Sequence, residues 1–441
     1  MKYRIAILLV LAVALLAVPS KAQNGLNVPF SQYGLGFGNT PYNMPFAAGM
    51  GGVVLTRYSS NSVNPFNPAS YAAVESASFV FDMGLSIETS VLQDPQTSLF
   101  DAEGNIGYLA FAMPITKWWK TSFGLLPYTD VNYESIQTQP TDKGDIETVY
   151  EGVGGVSRIY WGHAFNIGKR LAVGFNATYL YGAIHRAITY DFGGLDSAFY
   201  MNSRREKNTM MGNFTFDFGL QYRQPMGEKY SLNIGATAIA PRVMNVDDEA
   251  MIYTYIENAG SIYVRDTIFP LAGEDGRYQS TLEQPLTIGL GLSLERNDRW
   301  AIAADVSYAP WSGMKYVENT THQIFGATAV QYGDDKKIAL GYIWMGDKDA
   351  SKYWQRIAFS GGIHYEQGKL GLQLADNSEW LLDDWGFGVG CSLPMRKGKS
   401  VLKFSVAYDS FGSADLLRRN AVTFGISVGS CESWFVKRKY N

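Results

Sequence analysis

Residues 285–311 read PLTIGLGLSLERNDRWAIAADVSYAPW. Leu286, Ile288, Leu290, Leu292 and Leu294 alternate with Thr287, Gly289, Gly291, Ser293 and Glu295. After a short polar break, Trp300, Ile302, Ala304, Val306 and Tyr308 alternate with Ala301, Ala303, Asp305 and Ser307. A strict period of two places successive side chains on opposite faces of a β-strand. One face of each strand is large and apolar; the other is small or polar, with an occasional acid. Each run has roughly the 10 residues that a tilted strand needs to cross a bilayer, and the break Arg296–Arg299 is a tight connection.

The same alternation returns along the chain. Phe79, Phe81, Met83, Leu85 and Ile87 carry it near the start, Phe214, Phe216, Phe218 and Leu220 in the middle, and Val422, Phe424, Ile426 and Val428 at the end. Strands are expected near 78–88, 105–114, 119–135, 147–166, 170–190, 209–224, 229–243, 282–295, 299–315, 336–346, 354–366, 382–394, 400–409 and 418–430, about fourteen, an even number as single-chain bacterial barrels require. One set of connections is short (Pro114 to Trp118, Asn166 to Lys169, Gln224 to Lys229, Arg296 to Arg299, Met345 to Lys352, Met395 to Lys399). The other is longer and polar, notably 190–208, 244–281 and 316–335, with 250–268 reading as a hairpin in an outer loop.

Periodicity alone does not separate a soluble sandwich from a transmembrane barrel. Strand length and the asymmetry of connections favour the barrel, and so does the N-terminus. Lys2 and Arg4 precede an apolar run from Ile5 to Val18, followed by Ser20-Lys21-Ala22, a small-x-small cleavage pattern. Residues 1–22 read as a secretory signal peptide. Aromatic residues are 14% and charged residues only 18% of the chain, as expected of a β-protein that meets lipid. The formal net charge of −4 offers no basic surface for nucleic acid.

The segment before the first strand has its own signature. Ala48-Gly49-Met50-Gly51-Gly52 is followed by NSVNPFNPASY, Asn61–Tyr71, with Asn67-Pro68-Ala69 just before the barrel. Pro lacks a backbone donor and restricts its predecessor, so the two Asn-Pro pairs stop regular structure. The order G-x-G, a variable stretch, N-P-A, then alternating strands resembles the FadL family of outer-membrane channels for long-chain fatty acids and other hydrophobic compounds. PLTIGLGLSL, WAIAADVSYAPW and IALGY (Ile338–Tyr342) resemble that family's late hairpins. The Gly/Asn/Pro-rich opening Gln23–Met44 and the basic tail depart from it and look more like divergent Bacteroidetes-type members.

The resemblance implies an all-β transmembrane antiparallel barrel whose N-terminal segment plugs the lumen as a hatch. The expected divisions are a signal peptide (1–22), a hatch (23–75), the barrel (76–432) and a basic periplasmic tail (433–441). Gly49, Gly51, Gly52, Asn67, Pro68 and Ala69 carry the hatch motif. Phe46, Met50 and Leu55 would face a hydrophobic ligand or pack the plug. Pro127 interrupts the strand WWKTSFGLLPYTDVNYE; it marks a wall kink with a lateral gap or a fraying rim.

The expected function is passive uptake of hydrophobic small molecules with lateral release. Non-transporting alternatives are a scaffold or surface-assembly partner, and a general porin is a third reading. Expected partners are outer-membrane lipid, the hydrophobic ligand and the barrel-assembly machinery that inserts the protein into the Gram-negative outer membrane.

No catalytic set, metal or cofactor is expected. His163, His185, His322 and His364 have no metal-ligand spacing to one another or to Cys. His185 and Asp191 lie near one rim without a catalytic arrangement. Cys391 and Cys431 have opposite parity and do not suggest a disulfide. The lumenal acids Asp82, Asp217, Glu295 and Asp305 read as solvated lining or partners of lumenal Arg and Lys.

Overall fold

The computed structural model describes residues 28–433, apart from 33, 39–40, 194–199, 259–260, 270–275, 298, 314–315, 318–330, 348, 374–378, 396–399 and 414–416. The expected signal peptide and the tail beyond Ser433 lie outside the described residues.

The wall is one antiparallel sheet. In chain order the strands are β1 (Phe37–Gly38), β2 (Ser78–Gln93), β3 (Ser98–Pro114), β4 (Trp119–Thr141), β5 (Gly144–Ile167), β6 (Leu171–Asp191), β7 (Asn202–Met226), β8 (Tyr230–Ile239), β9 (Arg242–Asn258), β10 (Ser261–Ile268), β11 (Arg277–Gln284), β12 (Thr287–Arg296), β13 (Trp300–Ala309), β14 (Tyr316–Val317), β15 (Gln331–Tyr332), β16 (Asp335–Trp344), β17 (Ala358–Gln373), β18 (Glu379–Pro394), β19 (Ser400–Gly412) and β20 (Arg418–Ser433). Fourteen of them, β2–β8, β12, β13 and β16–β20, form a closed barrel. Closure joins β2 to β20 in an unbroken register from Ser78↔Ser433 to Gln93↔Arg418. In hydrocarbon no backbone donor or acceptor can be left to water, so an open edge is not an option there.

The period-two pattern becomes two surfaces. Phe216, Leu290, Val306, Ile338, Phe387 and Phe424 point outward and are exposed to what would be lipid. Aromatic residues mark both margins of this band. Trp118, Trp161, Tyr230, Trp344 and Phe359 lie near one end, and Tyr308, Tyr365 and Trp385 near the other, as in membrane barrels generally.

The height of the wall is uneven, for a reason the connections alone do not reveal. Two of the outer connections are tight turns, at Asp94–Thr97 and Asp142–Lys143. The strands themselves run on. β4 has 23 residues, roughly 75 Å of extended chain at about 3.3 Å per residue, far more than a crossing needs. The stretch 244–281, expected as an outer loop, is largely sheet. β9 continues β8 past Ala240-Pro241 and pairs with β7, β10 and β11. β11 runs into β12 past Pro285, which stands opposite Pro241 in the continuing register. The two prolines lack the donors a ladder needs, so the sheet is interrupted there and resumes above. The 250–268 hairpin is formed by β9 and β10, as expected.

The hatch fills the lumen. Its short elements are a 3₁₀ turn Pro29–Gln32, strand β1, a 3₁₀ turn Pro41–Asn43, one helical turn Pro45–Ala48 and a 3₁₀ helix Pro68–Ala73. The core of the molecule is the hatch–wall interface. Met44, Phe46, Ala47, Val54, Leu55, Val63, Ala69 and Tyr71 pack with Val80, Tyr108, Ala110, Tyr160 and Ala164 of the wall.

Candidate functional site

The hatch motif sits where wall glycines make room for it. A Cβ on Gly388 would collide with the carbonyl oxygen of Ala48, one on Gly362 with the backbone of Met50, and one on Gly235 with the carbonyl of Leu55. The small face of the alternating strands is thus a seat for the plug. Gly51 and Gly52 have φ of +62° and +85°, the left-handed region that side chains with a Cβ avoid, and Gly51 turns directly against the backbone of Ile363.

Asn67 caps the helix Pro68–Ala73. Its Oδ1 accepts from Ala69 N at 3.1 Å, while Nδ2 donates to the carbonyls of Leu55 at 2.7 Å and Leu220 on β7 at 3.4 Å. Asn64 repeats the device, accepting from Phe66 N at 3.2 Å and donating to Val54 O at 2.7 Å. Each Asn-Pro pair therefore closes a turn with its side chain and ties that turn to the hatch backbone at Val54 and Leu55.

Of the two expectations for the lumenal acids, solvated lining or partners of lumenal Arg and Lys, the second holds for Asp82 and Glu295, and Asp82 and Asp305 also anchor the hatch backbone. Asp305 on β13 accepts from Val54 N and Leu55 N at 2.7 and 2.8 Å. Asp82 on β2, fully buried, accepts from Tyr108 OH at 2.7 Å, Val63 N at 3.2 Å and Lys403 Nζ at 3.2 Å. Asp217 accepts from Thr178 at 3.1 Å, and Glu295 pairs with Arg223 at 3.4 Å. Among neutral groups, Gln221 donates to Leu55 O at 2.9 Å, and Asn176 bonds both Pro65 O and Tyr71 OH at 3.0 Å. Burial pushes the Tyr71 phenol well above its ordinary pKa, so it stays a donor to Asn176.

Phe46, Met50 and Leu55 all lie in this packing. Phe46 sits under Arg57, whose Cζ is 4.3 Å from the ring centroid. Met50 packs with Val53, Ala303 and Ala339. Leu55 lies against Gly289 and Gly291. His185 bonds Asn208 at 2.7 Å, and Asp191 accepts from Gly193 N at 2.7 Å, so the two do not form a pair. Cys391 and Cys431 are not joined in a disulfide.

The wall has one incomplete seam. β3 and β4 are paired only from Pro114↔Lys120 to Leu109↔Leu125, although both strands continue upward. β3 stays paired with β2 on its other side, and β4 with β5. Both strands lose regular register just above the last shared pair. The β2–β3 ladder shifts opposite Gly107, and the β4–β5 ladder shifts between Pro127 and Thr129. Pro127, without an N–H, falls at that shift. The free edge of β4 is taken up by the hatch instead: Phe37↔Asp130 and Gly38↔Thr129 pair antiparallel. Thr129 also donates to Leu35 O at 2.7 Å, and Val28 N donates to Asn132 O at 2.7 Å. Phe30 and Phe37 pack edge-on against Phe411 across the lumen at 4.9 and 5.0 Å.

Behind the seam lies a cavity of about 90 Å³ lined by Phe37, Tyr42, Glu88, Glu103, Asn105, Asp130, Asp384, Asp409 and Arg419, among others. Arg419 is engaged by Glu88. Sequence reasoning missed this seam's partner strand and these acids, because ladder extent and lumenal convergence depend on register between distant segments.

The described residues thus form a closed barrel with an N-terminal segment packed in its lumen and one partly paired seam. The structure is similar to the toluene transporter TodX of Pseudomonas putida, with a TM-score of 0.53 at 14% identity over 93% of this chain and 100% of that one. It is likewise similar to the toluene transporter TbuX of Ralstonia pickettii, with 0.53 at 14% over 88% and 97%. A FadL homologue of Pseudomonas aeruginosa gives 0.53 at 11% over 88% and 98%. At such identities the likeness is one of fold. No curated protein matches the chain by sequence. By sequence the chain belongs to the BamG family, whose profile matches residues 4–441. The FadL resemblance read from GMGG and NPA thus holds for architecture, and the family is BamG.

Proposed function

We propose that the protein passes uncharged hydrophobic small molecules across the outer membrane and releases them sideways between β3 and β4, with the hatch strand β1 (Phe37–Gly38) as the gate. The observation that carries this reading is the unmatched seam: two wall strands part above Leu109 and Leu125, and a hatch strand covers the opening. A molecule leaving there enters hydrocarbon directly, and keeps the roughly 0.8 kcal/mol per CH₂ that contact with water would forfeit. Fatty-acid anions are disfavoured, since Glu88, Glu103 and Asp130 line the cavity behind the seam. The cavity is well below the roughly 300 Å³ of an ordinary ligand pocket, so passage requires the hatch to leave β4. TodX and TbuX are described as toluene transporters, which supports a neutral aromatic as the probe.

The test is a disulfide across the hatch–β4 pair, made by Phe37→Cys with Asp130→Cys. Oxidised protein in proteoliposomes should take up labelled toluene at the protein-free rate, and reduction should restore uptake. Equal uptake by the oxidised and reduced forms would sink the gating role.

A second reading, a non-transporting scaffold, is supported by two observations. The plug is held by wall hydrogen bonds from at least four strands. In addition, β10 pairs only with β9 among the described residues and exposes Ile262, Val264 and Ile268, an edge that a partner strand could extend. Native mass spectrometry of a mild-detergent extract separates the readings. A stoichiometric protein partner lost on Val264→Asp favours the scaffold; bound neutral lipid without a partner favours the channel.

A further inference from the structure

We propose that His364, Asp384 and Asp409 form a binding site for a divalent transition-metal ion in the barrel lumen, a role independent of whether the protein transports. The three residues come from the adjacent strands β17, β18 and β19. His364 stands opposite Gly386, Gly386 opposite Asp409, and Asp384 lies two residues from Gly386 on the same strand and face. One ligand atom from each residue can be chosen so that all lie within 4.8 Å of one another. His364 Nε2 is 3.3 Å from Asp409 Oδ1 and 3.9 Å from Asp384 Oδ2. Ligands bound to zinc at about 2.0–2.2 Å stand about 3.4 Å apart at tetrahedral corners, so small side-chain adjustments would complete the sphere.

Gly386 makes this convergence feasible. A Cβ there would lie 2.5 Å from His364 Cε1 and 2.8 Å from Asp409 Oδ1. The imidazole and the carboxylate meet over the one residue between them that has no side chain.

The hydrogen-bond accounting points to a ligand. The His364 side chain is 1% exposed, and neither ring nitrogen has a hydrogen-bond partner among the described residues; Asp384 Oδ1 and Asp409 Oδ1 also lack one. Buried polar groups are rarely left in that state, and a bound cation would satisfy all three side chains together.

The surroundings agree. Tyr42 of the hatch stacks on the imidazole, with centroids 4.3 Å apart and planes at 29°. Lys337, the neighbouring cation, pairs with Glu366 at 3.7 Å and lies over the Tyr42 ring at 4.3 Å. Asp384 and Asp409 both border the cavity behind the seam, which gives access to the ion and to water for its remaining positions. A mixed imidazole and carboxylate set favours zinc and similar first-row ions over magnesium and calcium, which take oxygen ligands. Bound there, the ion would clamp three wall strands directly beneath Tyr42.

The experiment is a zinc titration by calorimetry on the full chain, purified in mild detergent and stripped with chelator, with metal content measured in parallel. Wild type should bind about one equivalent, with magnesium unable to compete. His364→Gln and Asp409→Asn should weaken binding at least about tenfold, while heat-modifiable gel migration shows the barrel still folded. Gly386→Ala, which keeps every ligand, should also weaken it, and His163→Gln, on the outer face, should not. Absence of stoichiometric zinc in wild type overturns the proposal, as does binding by His364→Gln equal to wild type. Should His364→Gln fail to fold, unchanged binding by Gly386→Ala is the overturning result.

Discussion

Asp305 shows how much a single lumenal side chain does in this protein. Its Oδ2 receives both Val54 N and Leu55 N, so it completes the backbone of the hatch from the wall. Asp305→Ala leaves two buried donors unpaired, at about 1–3 kcal/mol for such a loss. Amide exchange at Val54 and Leu55 should rise roughly five- to a hundredfold, since about 1.4 kcal/mol is a factor of ten, while exchange in β12 and β13 stays slow. Unchanged exchange at Val54 and Leu55 would show that the anchor carries no weight. At this scale the sequence was partly legible. The Asn-Pro pairs announced turns, and Asn67 makes the side-chain bonds its type allows. The basic partners expected for the acids are there for Asp82 and Glu295, but their bonds to the hatch backbone were not legible, because a period-two pattern gives facing but says nothing of what fills the lumen. His364, Asp384 and Asp409 all share the lumenal parity, the one sequence signal that could have grouped them; their separation along the chain hides the rest.

At the scale of elements, alternation located nearly every wall strand, because lipid on one side and a plug on the other leave little latitude in side-chain size. Strand ends were less legible. Above the membrane both faces of β4, β5 and β7 meet water or other sheet, so the alternation fades while the ladder continues. The β2–β3 turn illustrates how such an outer edge is held. Asp94 Oδ1 accepts from Thr97 N and Gln96 N at 2.5 and 2.7 Å, and Oδ2 from Thr97 Oγ1 at 2.8 Å. These donors hold the Asp94 carboxyl below its ordinary value of 3.8, the Thr97 N–H contributing most. A depressed carboxylate pKa means that its contribution is complete above the unfolded value and is lost as pH falls through the folded one. Lowering pH from 5 to 3 should therefore loosen residues 94–97, seen as shifted amide resonances there. Asp94→Asn should abolish the pH dependence, and a turn that loosens equally in that variant would refute the assignment.

For the whole molecule, the decisive relation is between plug and wall. With Met44, Phe46, Val63 and Tyr71 packed into the lumen, the intact protein in planar bilayers should show little ion conductance. Deleting residues 28–60 should open a pore of high conductance, because the glycine-lined face would then be left to water. High conductance of the intact chain would instead indicate a porin. The architecture as a whole was readable from strand number and hatch motif. The seam was only half readable, since Pro127 flags an irregularity but where the β3–β4 ladder stops, at Leu109 and Leu125, is a property of two segments together.

The closing ladder between β2 and β20 has a consequence for biogenesis. These are the first and last strands of the wall, so the cylinder cannot shut until β20 is in place. The hatch precedes β2 and is already made by then. Its polar contacts come from strands as far apart as β2, β4, β6, β7 and β13, a set brought together only when the sheet has curled round. Pairing β2 with β20 therefore completes both the cylinder and the ring of wall strands around the N-terminal segment.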